Sequence, residues 1–329
     1  MKALIVSERG KLETRDVVLG DLDPNRIRIR VEYAGVGFAD MMAVRGGYAL
    51  APKLPFSPGY EFLGRIEAVG SRVQGVTAGV RVVGMVPKMA CYQEVLDLDP
   101  VWAVAVPVGV SSETAAAMPL NYLTARGMIE AQAKLQPGQS FLIHGAAGGV
   151  GSAALEWARL KGLRAFGTVS SGKEADVEAL GATPIRRGEA WLNQALTTEP
   201  RGFDAVFDSF GGRLLRQSFQ AVAPGGLLIS YGFAATADGG NGPMIDGLLF
   251  HASKKLFPGG RRTVLCRIPA AIDADRAWYR ATMETTLAEA ADGNLNPRIH
   301  DIVRWDQASR AHEAIAAGKV RGKILLRVA

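Results

Sequence analysis

The chain has 329 residues, room for two domains, and its 48% hydrophobic and 21% charged residues describe a globular protein with a sizeable core. Lys plus Arg total 38 against 32 Asp plus Glu, a net charge of +6, but the cations are scattered, with short clusters only at Arg186-Arg187 and Arg261-Arg262. Nucleic acid is therefore not an expected partner, while a modest positive field suits a polyanionic small molecule. Cys91 and Cys266 lie too far apart for a disulfide framework or a zinc lobe. The apolar run at Met1–Val6 is too short for a signal peptide and no apolar stretch is long enough to span a bilayer, so a reduced, cytoplasmic setting is expected.

Met1–Val6 reads as a strand. Ile27 to Tyr33 sets apolar Ile27, Ile29 and Val31 against charged Arg28, Arg30 and Glu32, the pattern of a half-buried strand. Phe62–Val69 and Val80–Val83 are further strands, separated by Gly70, Gly75 and Gly79. No helix of length is expected before Ser112–Met118, where Ser112 is placed to cap. Short strands at this spacing predict a small β-barrel over the first third of the chain.

Asn121–Ala125, after Pro119, starts a helix that Lys134–Gly138 closes. The apolar run Leu142-Ile143-His144 then enters a glycine cluster, Gly145 to Gly151, and Ser152–Lys161 presents Ala153, Ala154, Trp157, Ala158 and Leu160 as one helical face. Strand, glycine turn and helix start form a site for a dinucleotide pyrophosphate, because backbone N–H groups and the helix dipole favour an anion there. Ala147, Gly148, Gly149 and Val150 are the candidate contacts. Where the strict fingerprint reads G-x-G-x-x-G, this turn reads A-x-G-x-x-G, and Ala146 can stand in only if the turn needs no positive φ there.

Strands at Arg164–Val169, Pro184–Ile185, Phe203–Asp208 and Leu227–Gly232 alternate with helices at Lys173–Leu180 and Leu214–Ala221. This predicts a doubly wound parallel sheet with ligands at the carboxyl ends of its strands. Gly232 and Phe233 lie at one such end and are candidate nicotinamide neighbours. After Arg164–Val169, an NAD site would place an acid for the ribose 2′-OH. Here the strand end is Thr168-Val169-Ser170-Ser171-Gly172-Lys173, in which Ser170 could donate to a 2′-phosphate and Lys173 could neutralise it. Arg187 either stacks on adenine or pairs with that phosphate, or is a solvated arginine. The reading is NADPH over NADH.

The chain then turns irregular and apolar, with Leu248–Phe250 and Leu256–Phe257 as possible exposed patches. Helices at Trp278–Ala291 and Trp305–Gly318 and strands near Ile299–Val303 and at Gly322–Leu326 close it. Lys323 either reaches the cofactor phosphates or is a plain strand-end lysine. His144, His251, His300 and His312 carry no motif, and His144 is expected to be packed and hydrogen-bonded. Ser209 lacks a nucleophile elbow.

Three stretches, Ala34-Gly35-Val36-Gly37-Phe38-Ala39-Asp40, Pro58-Gly59-Tyr60-Glu61-Phe62-Leu63-Gly64-Arg65-Ile66-Glu67-Ala68-Val69-Gly70 and Gly79-Val80-Arg81-Val82-Val83, resemble the medium-chain dehydrogenase/reductase superfamily. The likeness is greatest to its zinc-independent quinone oxidoreductase branch, with the vesicle amine transport protein homologues and enoyl reductases. The resemblance implies an α/β fold, a GroES-like β-barrel domain (residues 1–120 and 262–329) plus a doubly wound parallel-sheet Rossmann domain that binds NADPH (121–261). Zinc alcohol dehydrogenases carry Cys and His where this chain has Gly37 and Tyr60, so no catalytic metal is implied.

The resemblance places Asn121 and Thr124 beside the nicotinamide, although Thr124 can equally be a helix residue bonded to its own turn. It places Tyr48 near the substrate. Tyr60 is a second polariser or a packed barrel residue, and Asp40 supports the site or caps the helix that follows it. A homodimer and a small-molecule electrophilic acceptor are implied as well. Gly37 and Met42 stand where many quinone reductases carry Asn and, nearby, Tyr, so the acceptor is not carried across. The function expected is hydride transfer from NADPH to a quinone or an activated C=C bond. The alternative is an NADPH-binding protein of little catalysis that acts through a lipid or protein surface, which a large exposed apolar patch would favour.

Overall fold

A computed structural model describes residues 1–236, 242–256 and 259–328. The chain divides into two compact units, Met1–Leu123 with Ile268–Ala329, and Thr124–Arg267. The first unit opens with an antiparallel pair, β1 (Lys2–Glu8) and β2 (Lys11–Asp16). Its sheet is built on β3 (Ile27–Val36), where Ile27, Ile29 and Val31 are fully buried while Arg28 and Arg30 pair with Asp97 and Glu67 on the outer face. That alternation is what makes the segment a strand with one wet side. It continues past Tyr33 because the closing stretch of the chain covers its far end.

Helix α1 (Phe38–Arg45) follows, beginning two residues before Asp40, where the sequence placed a helix only after that residue. Then come β4 (Glu61–Val69), β5 (Arg81–Met85), β6 (Val95–Leu98), β7 (Val104–Ala105) and α2 (Ser112–Ala116). Ser111 caps α2, accepting from Thr114 N–H at 3.0 Å, where Ser112 was expected to. Helix α3 (Pro119–Arg126) is next and runs into a π-helical turn, Gly127–Gln132.

The second unit is a six-stranded parallel sheet. Its elements are β8 (Ser140–His144), α4 (Gly149–Leu160), β9 (Arg164–Val169), α5 (Glu174–Glu178), β10 (Thr183–Arg186), α6 (Trp191–Thr198), β11 (Phe203–Asp208), α7 (Gly212–Gln220), β12 (Val222–Ser230), α8 (Gly242–Leu256) and β13 (Arg262–Leu265). Strand order is β10-β9-β8-β11-β12-β13, every pair parallel. Strands buried on both faces carry apolar residues in succession and do not alternate, as Ala205-Val206-Phe207 in β11 and Ala165-Phe166 in β9 do. The sheet extends one strand beyond residue 261: β13 pairs with β12 through Leu227↔Arg262 to Ser230↔Leu265. Residues 262–267 therefore lie in this unit and not in the barrel.

Returning to the first unit, α9 (Ile268–Ala274), α10 (Arg276–Ala291), β14 (Ile299–Arg304), α11 (Ala308–Ala316) and β15 (Lys323–Arg327) complete it. The sheet order becomes β14-β15-β3-β4-β5-β7, with β6 also on β3. One core of this unit gathers Leu4, Ala34, Val36, Tyr92, Val303, Ala308, Ala311, Ile324 and Leu326. Buried Tyr279 fastens α10: its hydroxyl donates to Trp102 O at 2.8 Å and accepts from Met85 N–H at 3.0 Å.

Candidate nucleotide rim and acceptor-side cluster

In the Thr124–Arg267 unit the rim begins where β8 ends. The turn's left-handed residue is Gly145 (φ +71°), and positive φ among the described non-glycine residues is confined to Met89, Ala90 and Lys134. Ala146 therefore meets the condition set for it. Its methyl is fully buried and faces Gly167 on β9, where a Cβ would lie 2.2 Å away. A Cβ at Gly151 would lie 2.4 Å from Gly145 O, so only glycine allows α4 to start this close to the turn. Helix α4 begins at Gly149 behind Gly148, a residue with no side chain to cap it. The first amides of a helix have no intrahelical acceptor, and with no side-chain cap at this one the cradle is of a kind that fits a pyrophosphate.

Val169 O, at the end of β9, accepts from Arg187 N–H at 2.7 Å. This ties the Arg187 backbone to the residue before exposed Ser170, and Lys173, three residues on, stands directly before α5 without a side-chain cap bond to it. The nearest acid, Glu174, is committed elsewhere: it accepts from Gly172 N–H at 2.7 Å and lies 3.7 Å from Arg186. Backbone N–H groups, its own first and then that of Gly172, hold its carboxyl below the usual range, with Arg186 adding to the effect. The Arg187 guanidinium sits 5.1 Å from the centre of the Phe210 ring, a cation–π contact. Phe210 was not singled out from sequence; the signal for it was its place at a strand end, between Asp208 and Gly211-Gly212. Phe233 packs over Gly211 and Gly247, where added Cβ atoms would stand 2.8 and 2.5 Å from its ring. Gly232 precedes it, and Ala234 N–H reaches Ser209 O at 2.9 Å, tying the two loops together. Thr124, on α3, is 6% exposed.

The other unit holds a buried polar cluster. The Tyr48 and Tyr60 hydroxyls lie 3.1 Å apart with their rings edge to face, Tyr60 buried and Tyr48 partly exposed. Burial pushes both phenols above their ordinary range. Asp40 is completely buried, and its Oδ2 accepts from Gly37 N–H at 2.7 Å. Burial raises its carboxyl to about 7 against the pull of that N–H and of Lys323. A Cβ at Gly37 would stand 2.8 Å from Leu120 Cδ2 and 3.3 Å from Asp40 Oδ2, so a side chain there would have to displace the Leu120 methyl. Glu61 and Lys323 form an ion pair whose side chains are 1% and 2% exposed, and Glu61 Oε2 also accepts from Leu120 N–H, at the start of α3, at 2.8 Å. Asn121, the next residue, is buried with Nδ2 donating to Ala117 O at 3.4 Å.

The amino-terminal residues match a family model for the GroES-like domain of alcohol dehydrogenases (23–123), and residues 180–326 match one for zinc-binding dehydrogenases. A quinone oxidoreductase of Pseudomonas aeruginosa is 30% identical over 326 residues, covering 96% of this chain and 95% of that protein. The chain belongs to the medium-chain dehydrogenase/reductase superfamily, in its quinone oxidoreductase branch. A synaptic vesicle membrane protein VAT-1 homolog of Danio rerio is 31% identical over 93% of this chain, which spans 64% of that relative's length. The solved quinone oxidoreductase of Escherichia coli complexed with NADPH superposes with a TM-score of 0.88 at 26% identity, covering all of both chains.

Two residues left with alternative readings are decided by their surroundings. Lys323 does not offer its charge to a phosphate, because its ammonium is buried against Glu61. Of the two readings of Asp40, support of the site or a helix cap, the structure shows the cap: fully buried, it accepts from Gly37 N–H and caps α1 from within. Of the apolar residues expected as a patch, Leu248, Leu249 and Leu256 are 44%, 66% and 75% exposed, Phe250 packs on Phe219, and Phe257 lies outside the described residues. Among the described residues no group of three or more His, Cys, Asp or Glu could hold a metal ion, and no helix is long and apolar enough to cross a membrane.

Proposed function

We propose that the chain is a zinc-independent, NADPH-dependent oxidoreductase that reduces a quinone or an activated C=C bond of an enone or enoyl acceptor. One observation carries the cofactor choice: Arg187 is bonded through its N–H to Val169 O, the residue before Ser170 at the end of β9, while Glu174, the acid on that turn, is bound to backbone and to Arg186. A 2′-phosphate meets donors and cations there. Ala147, Gly148, Gly149 and Val150 would hold the pyrophosphate, Ser170, Lys173 and Arg187 the 2′-phosphate, and Asn121, Thr124, Gly232 and Phe233 the nicotinamide. When bound, NADPH supplies a hydride.

Such acceptors delocalise the incoming charge, so the protein has to supply orientation and one polarising donor. Tyr48 fits that role. With Tyr60 O–H donating to Tyr48 Oη, the Tyr48 proton points away from Tyr60 and is available to an acceptor carbonyl. Burial keeps both phenols protonated across neutral pH. Gly37 and Tyr60 in place of the zinc enzymes' Cys and His support chemistry without a metal.

The test is oxidation of NADPH against a panel of quinones, enones and enoyl thioesters. Turnover on one class names the acceptor, and tight NADPH binding without turnover on any refutes the enzyme reading. A homodimer in the cytoplasm is part of the same proposal, checked by light scattering and fractionation. The second reading, an NADPH-binding protein acting through a lipid or protein surface, is favoured by one feature. Helix α8 turns Ile245, Leu248, Leu249 and Leu256 outward along a single stripe. Vesicle flotation that depends on those residues would support it.

A further inference from the structure

Beneath the nucleotide rim, four buried side chains link the neighbouring strands β9, β8 and β11 with helix α7. His144 Nδ1 lies 2.9 Å from Thr168 Oγ1, and His144 Nε2 lies 2.9 Å from Ser218 Oγ. Ser218 Oγ lies 2.6 Å from Asp208 Oδ2, and all four residues are at most 3% exposed. Trp191 and Phe210 meet the imidazole edge to face at 4.7 and 6.3 Å. The proton positions follow from the chemistry. Ser218 has one hydroxyl proton, and the carboxylate at 2.6 Å takes it in preference to Leu214 O at 2.9 Å. Ser218 Oγ must then accept from His144 Nε2–H. His144 Nδ1 is left as an acceptor, and Thr168 O–H donates to it. Burial holds the imidazole below the ordinary histidine range, with Asp208 opposing and Arg187 reinforcing, which keeps the ring neutral and this one tautomer in place.

Each end of the chain of bonds fixes part of the rim. Thr168 O accepts from Ala146 N–H at 3.1 Å, anchoring the glycine turn to β9. Asp208 Oδ1 accepts from Phe210 N–H and Gly211 N–H, both at 2.8 Å, shaping the loop whose aromatic ring carries Arg187. His144 is itself the last residue of β8, directly before the turn.

We propose that His144, with Thr168 and Ser218, is a positioning strut for the cofactor. It sets the glycine turn and the loop after β11 against the end of β9, so that pyrophosphate donors and the Arg187–Phe210 pair are presented together. The strut touches no ligand and acts through the loops that do. It rests on the nucleotide site proposed above, but it is read by binding, so a protein that binds NADPH and turns over no acceptor would refute the activity and leave the strut standing.

The test is titration of NADPH fluorescence, and competition by adenosine 2′,5′-bisphosphate, with the full chain and with His144→Leu, Thr168→Val and Ser218→Ala. For His144→Leu, both dissociation constants are expected to rise about tenfold, the loss of one to two buried hydrogen bonds that order the site. Thr168→Val and Ser218→Ala should each weaken binding less, and neither should add to His144→Leu, since all three cut one chain of bonds. His144→Asn, which keeps an acceptor for Thr168, should recover part of the affinity. The ring-nitrogen chemical shifts of His144 should report the Nε2-protonated neutral tautomer. A purely structural histidine would lower the melting temperature without moving the ligand constants of the folded protein. Constants within about twofold of the parent in folded Thr168→Val and Ser218→Ala overturn the proposal, as does full additivity with His144→Leu or the opposite tautomer.

Discussion

Asp40→Asn is expected to stabilise the protein, and to do so only above the acidic range. In the folded chain burial raises the Asp40 carboxyl from an ordinary 3.8 to about 7, with Glu61 adding to the rise and the Gly37 N–H and Lys323 opposing it. Because the folded value is raised, the native state holds the proton more tightly than the unfolded chain does. Stability is therefore lost as pH climbs from the unfolded value through the folded one, and the loss is complete above it. Each pKa unit is worth about 1.4 kcal/mol, so the full penalty is about 4 kcal/mol. Asparagine has the same shape and keeps an oxygen for the Gly37 N–H, now 2.7 Å from Oδ2, but carries no charge to desolvate.

The stabilisation by Asp40→Asn should be near zero at about pH 4, grow through neutrality and level off at up to about 4 kcal/mol. Urea denaturation of both proteins across that range measures it. The difference between them is the readout, because His312, lowered by burial to about 4, gives the parent curve an opposite slope. A difference that stays constant with pH, or a variant that is less stable at alkaline pH, would refute the reasoning.

Three other outcomes test separate parts of the account. Tyr48→Phe should lower turnover by about a hundredfold, the usual weight of a positioned proton donor, and leave the NADPH dissociation constant unchanged by fluorescence titration. Arg187→Ala should weaken NADPH about tenfold and NADH hardly at all; NADH binding as tight as NADPH in the parent would refute the 2′-phosphate site. Lys323→Met should cost about 3–5 kcal/mol in chemical denaturation by stranding buried Glu61, whereas Glu61→Gln with Lys323→Met together should recover most of it.

How much was readable from sequence depended on how locally each feature is encoded. Strands β9 and β11 were placed to the residue because both their faces are buried and glycines bound them. Helix α1 was expected only after Asp40 and starts earlier, because Met41 to Val44 are apolar on every side, all buried, and its cap Gly37 has no side chain to mark the start. Strand β13 is four residues on a sheet edge, too short to show a period. Cofactor contacts on loops could be proposed from residue type and strand ends alone. Partnerships between distant residues could not: Lys323 meets Glu61 from 262 positions away, and His144 meets Ser218 from 74. No pattern of neighbours encodes such pairs: the first overturns the phosphate reading of Lys323, and the second supplies the partner that a packed, hydrogen-bonded His144 required.

The Ala146–Gly167 contact bears on how such turns are recognised at all. The methyl gained at one position of the fingerprint is matched by the methyl missing from the strand beside it, so what is held constant is the volume between turn and sheet. The two positions are thus a single steric unit written in two places. Gly167→Ala is incompatible with Ala146, and a chain with glycine at 146 would be free to carry alanine at 167. A turn of this kind is defined by a sum over two strands, and a string of consecutive letters samples only one of its terms.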